Sequence, residues 1–198
     1  MNGVAARLAG AAFLPVGVWL AGLAAFTVLG VDGLFAGPNP VFAVARVTAY
    51  VTVVMVAAVT AAFVAIFGLA CGAMLVWLGE DANVRLIATA MSRSFWWVAA
   101  YVWVGVALLI LDPPVALTVF EVWESDSLAA RVGDVAAFAW MGRLRYVALI
   151  GFLAMAIWLL ARHTKPMNAL LAVAFGAAAM AALMTVLGLL AGPEEALA

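Results

Sequence analysis

Residues Val47–Gly79 read VTAYVTVVMVAAVTAAFVAIFGLACGAMLVWLG, with no charged side chain in over thirty positions. A soluble helix alternates apolar and polar faces; this run is apolar all round, as a helix immersed in lipid requires. At 1.5 Å rise it would reach about 50 Å, well past a hydrocarbon core of about 30 Å, so a tilted or projecting helix is expected.

Four further apolar runs cover about residues 11–30, 95–111, 144–161 and 167–191, with Pro113, Pro114, Pro166 and Pro193 near their ends. The first follows Arg7 and is too long for a signal-peptide core, which favours a retained span. Composition agrees. Hydrophobic residues make up 70% of the 198-residue chain and charged residues 10%, far from the balance of a soluble domain. The expected class is an all-α polytopic membrane helix bundle: one transmembrane domain, 1–198, with five spans. The lipid bilayer is its expected surroundings, and nothing suggests a nucleic-acid partner.

The connection 112–143 is the longest. Ser125, Asp126 and Ser127 offer caps before Leu128, and Leu128, Val132, Val135 and Ala139 follow helical spacing. Two readings stay open: an amphipathic helix lying on the membrane surface, or an outward extension of the fourth span.

Charges suggest an orientation. With the N-terminus inside, the inner loops carry Arg7, Arg85, Arg93, Arg162 and Lys165 against Glu80 and Asp81, while most acids fall outside. Arg46, Arg131, Arg143 and Arg145 oppose the rule. Trp77, Trp96, Trp97 and Trp158 would then be anchors at the inner interface. The expectation is an N-in, C-out protein of the cytoplasmic membrane.

Chemistry-bearing residues are few. With one Cys and one His, a Cys–His zinc site and bis-histidine haem ligation are excluded, and Cys71 reads as a small buried hydrophobe. His163 stands in a basic turn with no carboxylate beside it in sequence, a poor base for a nucleophile. No phosphate-cradling Gly-rich loop occurs. The middles of the spans lack Asp, Glu, Lys and Arg, which disfavours an ion-coupled carrier. No catalytic, cofactor-binding or metal residue is assigned. Arg46, Asp112, Arg143 and Arg145 form a candidate outer charged cluster, either snorkelling helix-end charges or a site for an anionic headgroup or substrate. Gly68 and Gly72 make a GxxxG pattern suited to close helix packing, within the chain or between copies. Thr48, Thr52, Thr60 and Thr185 are expected to bond back to their own helices.

The segment LGEDANVRLIATA at 78–90, leading into Phe95-Trp96-Trp97, and the stretch WLLARHTKPMNALLAV at 158–173 resemble the turn-and-helix elements of bacterial Yip1-domain proteins. The likeness covers about half the chain. It implies five helices, an N-in, C-out topology and a bacterial inner-membrane location. The Asp-Leu-Tyr-Gly-Pro signature of eukaryotic members is absent, so no vesicle-trafficking or small-GTPase role is implied. The expected function is a non-enzymatic membrane scaffold or accessory subunit that works by helix–helix contacts with another membrane protein or with itself. The alternatives are a transporter or channel for a small or lipid-like solute, and a membrane enzyme using Glu121, Glu124, Asp126 or Asp134 of the outer loop.

Overall fold

A computed structural model describes residues 2–119, 122 and 133–190, with side chains described over 14–119, 122 and 133–186. Among the described residues five long helices stand out: α1 (Asn2–Leu34), α2 (Pro40–Trp77), α3 (Val84–Leu111), α4 (Ala136–Ala161) and α5 (Pro166–Leu190). Among the described residues there is no strand, and each helix is long and apolar enough to cross a membrane. The chain is an all-α integral membrane protein.

The helices run past the apolar runs that announce them. α3 begins eleven residues before position 95, α4 eight before position 144, and α2 seven before position 47. The reason is that a charge ends a hydropathy run without ending a helix. Arg46, Arg85, Arg93, Arg143 and Arg145 all lie inside helices. Helix ends are set instead by caps. The Asn39 and Asn83 side-chain oxygens accept the backbone N–H of Val41 (2.9 Å) and Arg85 (2.8 Å), starting α2 and α3. α2 stops in a Schellman turn: Glu80 N–H donates to Leu75 O, Gly79 N–H to Val76 O, and Gly79 takes φ +77. The long connection divides accordingly. Residues 136–143 belong to the fourth helix, whereas Leu128 and Val132 of the expected amphipathic helix lie outside the described residues, as do Glu121, Glu124 and Asp126.

The chain forms two compact units, one within Met1–Ala58 and Ser92–Phe152, the other within Val59–Met91 and Leu153–Ala198. In the first, α1, α3 and α4 pack through aromatic rings. Trp19 meets Phe95 edge-on at 5.2 Å, Phe95 meets Phe152 at 6.2 Å, and Phe26 meets Phe138 at 5.7 Å. Glycines make room for these large side chains: Gly22 faces Trp103, Gly105 faces Met141 and Phe26, and Gly151 lies against Trp97. The Trp103 indole N–H donates to Val18 O at 3.1 Å, giving its one polar atom a partner. In the second unit, Cys71, Leu75, Leu160, Ala169 and Ala172 are buried.

Hydroxyls inside the helices bond to the carbonyl one turn earlier, as Thr27, Thr52, Thr89 and Thr185 show.

Candidate functional site

Three features of the described residues combine polar groups with packing. They lie at the α1–α2 connection, along the α3–α4 pair, and at the α2–α3 and α4–α5 turns.

At the α1–α2 connection, the Tyr50 hydroxyl donates to Asp32 Oδ1 at 2.9 Å. Arg46 Nε donates to Phe42 O and its Nη2 to Gly37 O, both at 3.4 Å. Leu117 N–H reaches Leu34 O at 2.8 Å, tying the segment after α3 to the end of α1. Arg46 therefore clasps the carbonyls of its own helix entry.

Along the α3–α4 pair, Asp112 and Asp134 line a recess of about 100 Å³ with Pro113, Pro114 and Val135. Further along α4, the Arg143 guanidinium lies 5.3 Å from the Trp140 ring centre. That of Arg145 lies 4.7 Å from Tyr146 and donates to its hydroxyl at 2.8 Å. The four members of the expected outer cluster thus have separate described partners. Arg46 holds carbonyls, Asp112 shares a recess with Asp134, and the two α4 arginines cover aromatic rings of their own helix. Because α4 starts at Ala136, Arg143 and Arg145 rise from its interior turns rather than from a loop at its mouth.

At the turns of the second unit, Glu80 supplies what α5 lacks. Pro166 opens that helix and Lys165 precedes it, a residue with no side-chain acceptor for a cap. Glu80 Oε1 accepts the Lys165 backbone N–H at 3.3 Å and the Asn168 side-chain amide at 2.6 Å. A carboxylate at a helix N-terminus also favours the macrodipole. One acid therefore joins the α2–α3 turn to the start of α5. Nothing in hydropathy or local spacing marks Glu80 for this role; the one sequence signal is that α5 begins Lys-Pro without an acceptor of its own.

The GxxxG glycines of α2 are buried within the same unit. A Cβ on Gly72 would stand 2.5 Å from Ile87 Cδ1, and one on Gly68 would stand 3.2 Å from Met91 Cγ. Both glycines face α3 of their own chain, which leaves neither open to a second copy. Gly176 of α5 completes the unit against Cys71 Sγ and Phe67.

The tryptophans divide into two pairs. Trp77 is the last residue of α2, and Trp158 lies near the end of α4 with the Arg162 guanidinium 3.6 Å from its ring centre. Trp96 and Trp97 stand instead near the midpoint of α3, because that helix starts at Val84. His163 is exposed, and its backbone N–H donates to Leu160 O at 2.9 Å. Among the described residues, no group of three His, Cys, Asp or Glu side chains could hold a metal ion.

α2 differs from every other helix. It is the longest, at 38 residues. Only 11% of its apolar stretch is buried, against 39% for α3. Between Phe42 and Phe67, no residue on any face is buried. Exposed alanines at 58, 61, 62 and 65 form a low ridge on this section.

No protein-family model, curated protein or solved structure matches the chain.

Proposed function

We propose that the chain is a non-enzymatic membrane scaffold or accessory subunit, with the middle of α2 as the surface that receives a partner's transmembrane helix. The observation that carries this reading is the unburied stretch of α2 between Phe42 and Phe67. Lipid tolerates such a helix, but small exposed side chains at Ala58, Ala61, Ala62 and Ala65 also let another backbone approach closely, the usual basis of helix association in membranes. The Yip1-like organisation, with the N-terminus in the cytoplasm, the C-terminus outside and the protein in a bacterial inner membrane, belongs to the same proposal. Its support is the basic bias of the inner loops and the two resembling segments.

Photocrosslinkers placed singly at Ala58, Ala62 and Ala65 in native membranes test the reading. We expect a discrete protein adduct from α2 and none from a crosslinker at Leu171, an exposed position on α5. Lipid adducts alone at all three α2 sites would overturn it. The second reading, a carrier for a small or lipid-like solute, draws on the buried hydroxyls Thr27, Ser92 and Ser94. Flux into proteoliposomes that is abolished by alanine at these three positions would favour it over the scaffold.

A further inference from the structure

Hydropathy assigns Arg93 to an inner loop, whereas the structure sets it inside α3, about 14 Å past Val84. Its side chain is exposed, and among the described residues nothing pairs with it. The arginines inside α2 and α4 differ in this respect. Arg46 holds carbonyl oxygens, and Arg143 and Arg145 cover rings of their own helix. Arg85 is only the second residue of α3. Neither α3 nor α4 contains an acidic residue.

Sliding the bilayer along the helices does not relieve Arg93 freely. In the first unit Trp97 packs on Gly151 and Gly105 faces Met141, so α3 and α4 run antiparallel there. These pairings set Arg145 about 12–15 Å beyond Arg93 along α3. The whole of α3 is about 42 Å long, against a hydrocarbon core of about 30 Å. Moving the core toward Leu111 brings Arg93 nearer the headgroups, but carries Arg143 and Arg145 deeper by the same distance. Those two have rings to lie on, and Arg93 has none. An arginine inside a span calls for a counter-charge and marks a site of interaction.

The face around Arg93 is shaped to receive a helix. With 3.6 residues per turn, Ala100 and Val104 fall within about 20° of Arg93 around α3, and Trp97 within about 40°. Trp97, Ala100 and Val104 are exposed. With Tyr101 they form one wall of a groove of about 140 Å³, and Leu144, Val147 and Ala148 of α4 form the other. Arg93 continues the same face one turn before Trp97. Ala100 leaves a low point between two larger side chains, where another backbone can come close.

We infer that this face of α3 receives a partner protein's transmembrane helix bearing one carboxylate, Asp or Glu, which pairs with Arg93. Charge complementarity selects that partner. The cation is unpaired on an apolar face, its own helix pair offers no acid, and a carboxylate accepts two parallel guanidinium N–H bonds. The proposal rests on the scaffold reading in needing a membrane partner, but it uses no residue of α2.

The test uses full-length protein in phosphatidylcholine vesicles and a synthetic leucine–alanine transmembrane peptide as probe. The peptide carries one Glu about 14 Å from one end, with a Gln peptide as control, and association is read by energy transfer between fluorophores. Wild type should bind the Glu peptide over the Gln peptide by about tenfold, or about 1.4 kcal/mol. Arg93→Gln should lose that preference, Arg85→Gln should keep it, and Arg93→Glu should select a Lys peptide instead. Ala100→Trp should weaken binding of both peptides. Ala62→Leu, altered only on α2, should bind both like wild type, so this test and the α2 crosslinking fail separately. Equal binding of the two peptides by wild type would overturn the proposal, as would a preference that survives in Arg93→Gln. So would loss of the preference when about one fifth of the lipid is phosphatidylglycerol, since a lipid phosphate would then be the counter-charge. Should Arg93→Gln lose its helical circular dichroism, unchanged binding by a folded Ala100→Trp protein would overturn it as well.

Discussion

The two units solve helix packing with the same residue and opposite neighbours. In the first, Gly22 and Gly151 face rigid rings, the Trp103 indole and the Trp97 ring near its root, while Gly105 faces both the Met141 thioether and the Phe26 ring. In the second, Gly68 and Gly72 face the movable tips of Met91 and Ile87. A ring must move as a body, whereas an aliphatic tip can change rotamer. The first unit is therefore specified by shape, and the second is more forgiving of added volume. Gly176 is the exception in the second unit: a Cβ added there would stand 2.8 Å from Cys71 Sγ and 2.9 Å from the Phe67 ring.

Identical glycine-to-alanine substitutions can break this contrast. Gly151→Ala should have the largest effect, destabilising the protein by about 2–3 kcal/mol through overpacking on Trp97, visible as a lower unfolding temperature in detergent. No change in that temperature would remove the rigid-ring account. Gly176→Ala should follow at about 1–2 kcal/mol, since both neighbours are short or planar. Glu80→Ala should cost about 1 kcal/mol by removing the acceptor at the start of α5. Faster amide hydrogen exchange at Lys165, with the ends of α1 unchanged, would sharpen the role of Glu80 as a cross-turn cap. Gly72→Ala should be smallest, within about 0.5 kcal/mol of neutral. There the helix-propensity gain of alanine, about 1 kcal/mol, offsets the displacement of the Ile87 tip. A large loss at Gly72 would show that the second unit is packed as strictly as the first.

The five helices were legible because each apolar run is long, and lipid leaves the chain few other ways to satisfy its backbone. Their ends were not legible from hydropathy. The run beginning near Phe95 hides a helix that starts at Val84, because Arg85 and Arg93 break the apolar pattern while their backbones continue the helix. That error moved Trp96 and Trp97 from an expected helix end to the midpoint of α3. It also has a counterpart in α4, where Arg143 moved from just before the expected span to the helix interior. Asn39 and Asn83 were the sequence signals for the true starts, being cap residues directly before Pro40 and Val84.

The candidate sites were legible in part. Arg143 and Arg145 stood out as charges beside an apolar run, but grouping them with Arg46 and Asp112 needed distances that sequence does not contain. The GxxxG spacing marked Gly68 and Gly72 as packing positions, yet the same pattern serves a seam between copies or a contact within one chain.

By itself the sequence determined the class: an all-α membrane protein of five long apolar helices. Those properties follow from composition and run length, which act locally along the chain. Tertiary structure alone decided that Gly68 and Gly72 face Met91 and Ile87, and that the middle of the same helix is left uncovered. It also decided that Glu80 caps a helix begun 86 residues later, at Pro166. These depend on which helix lies beside which, and an almost uniformly apolar surface carries little periodic signal to say so.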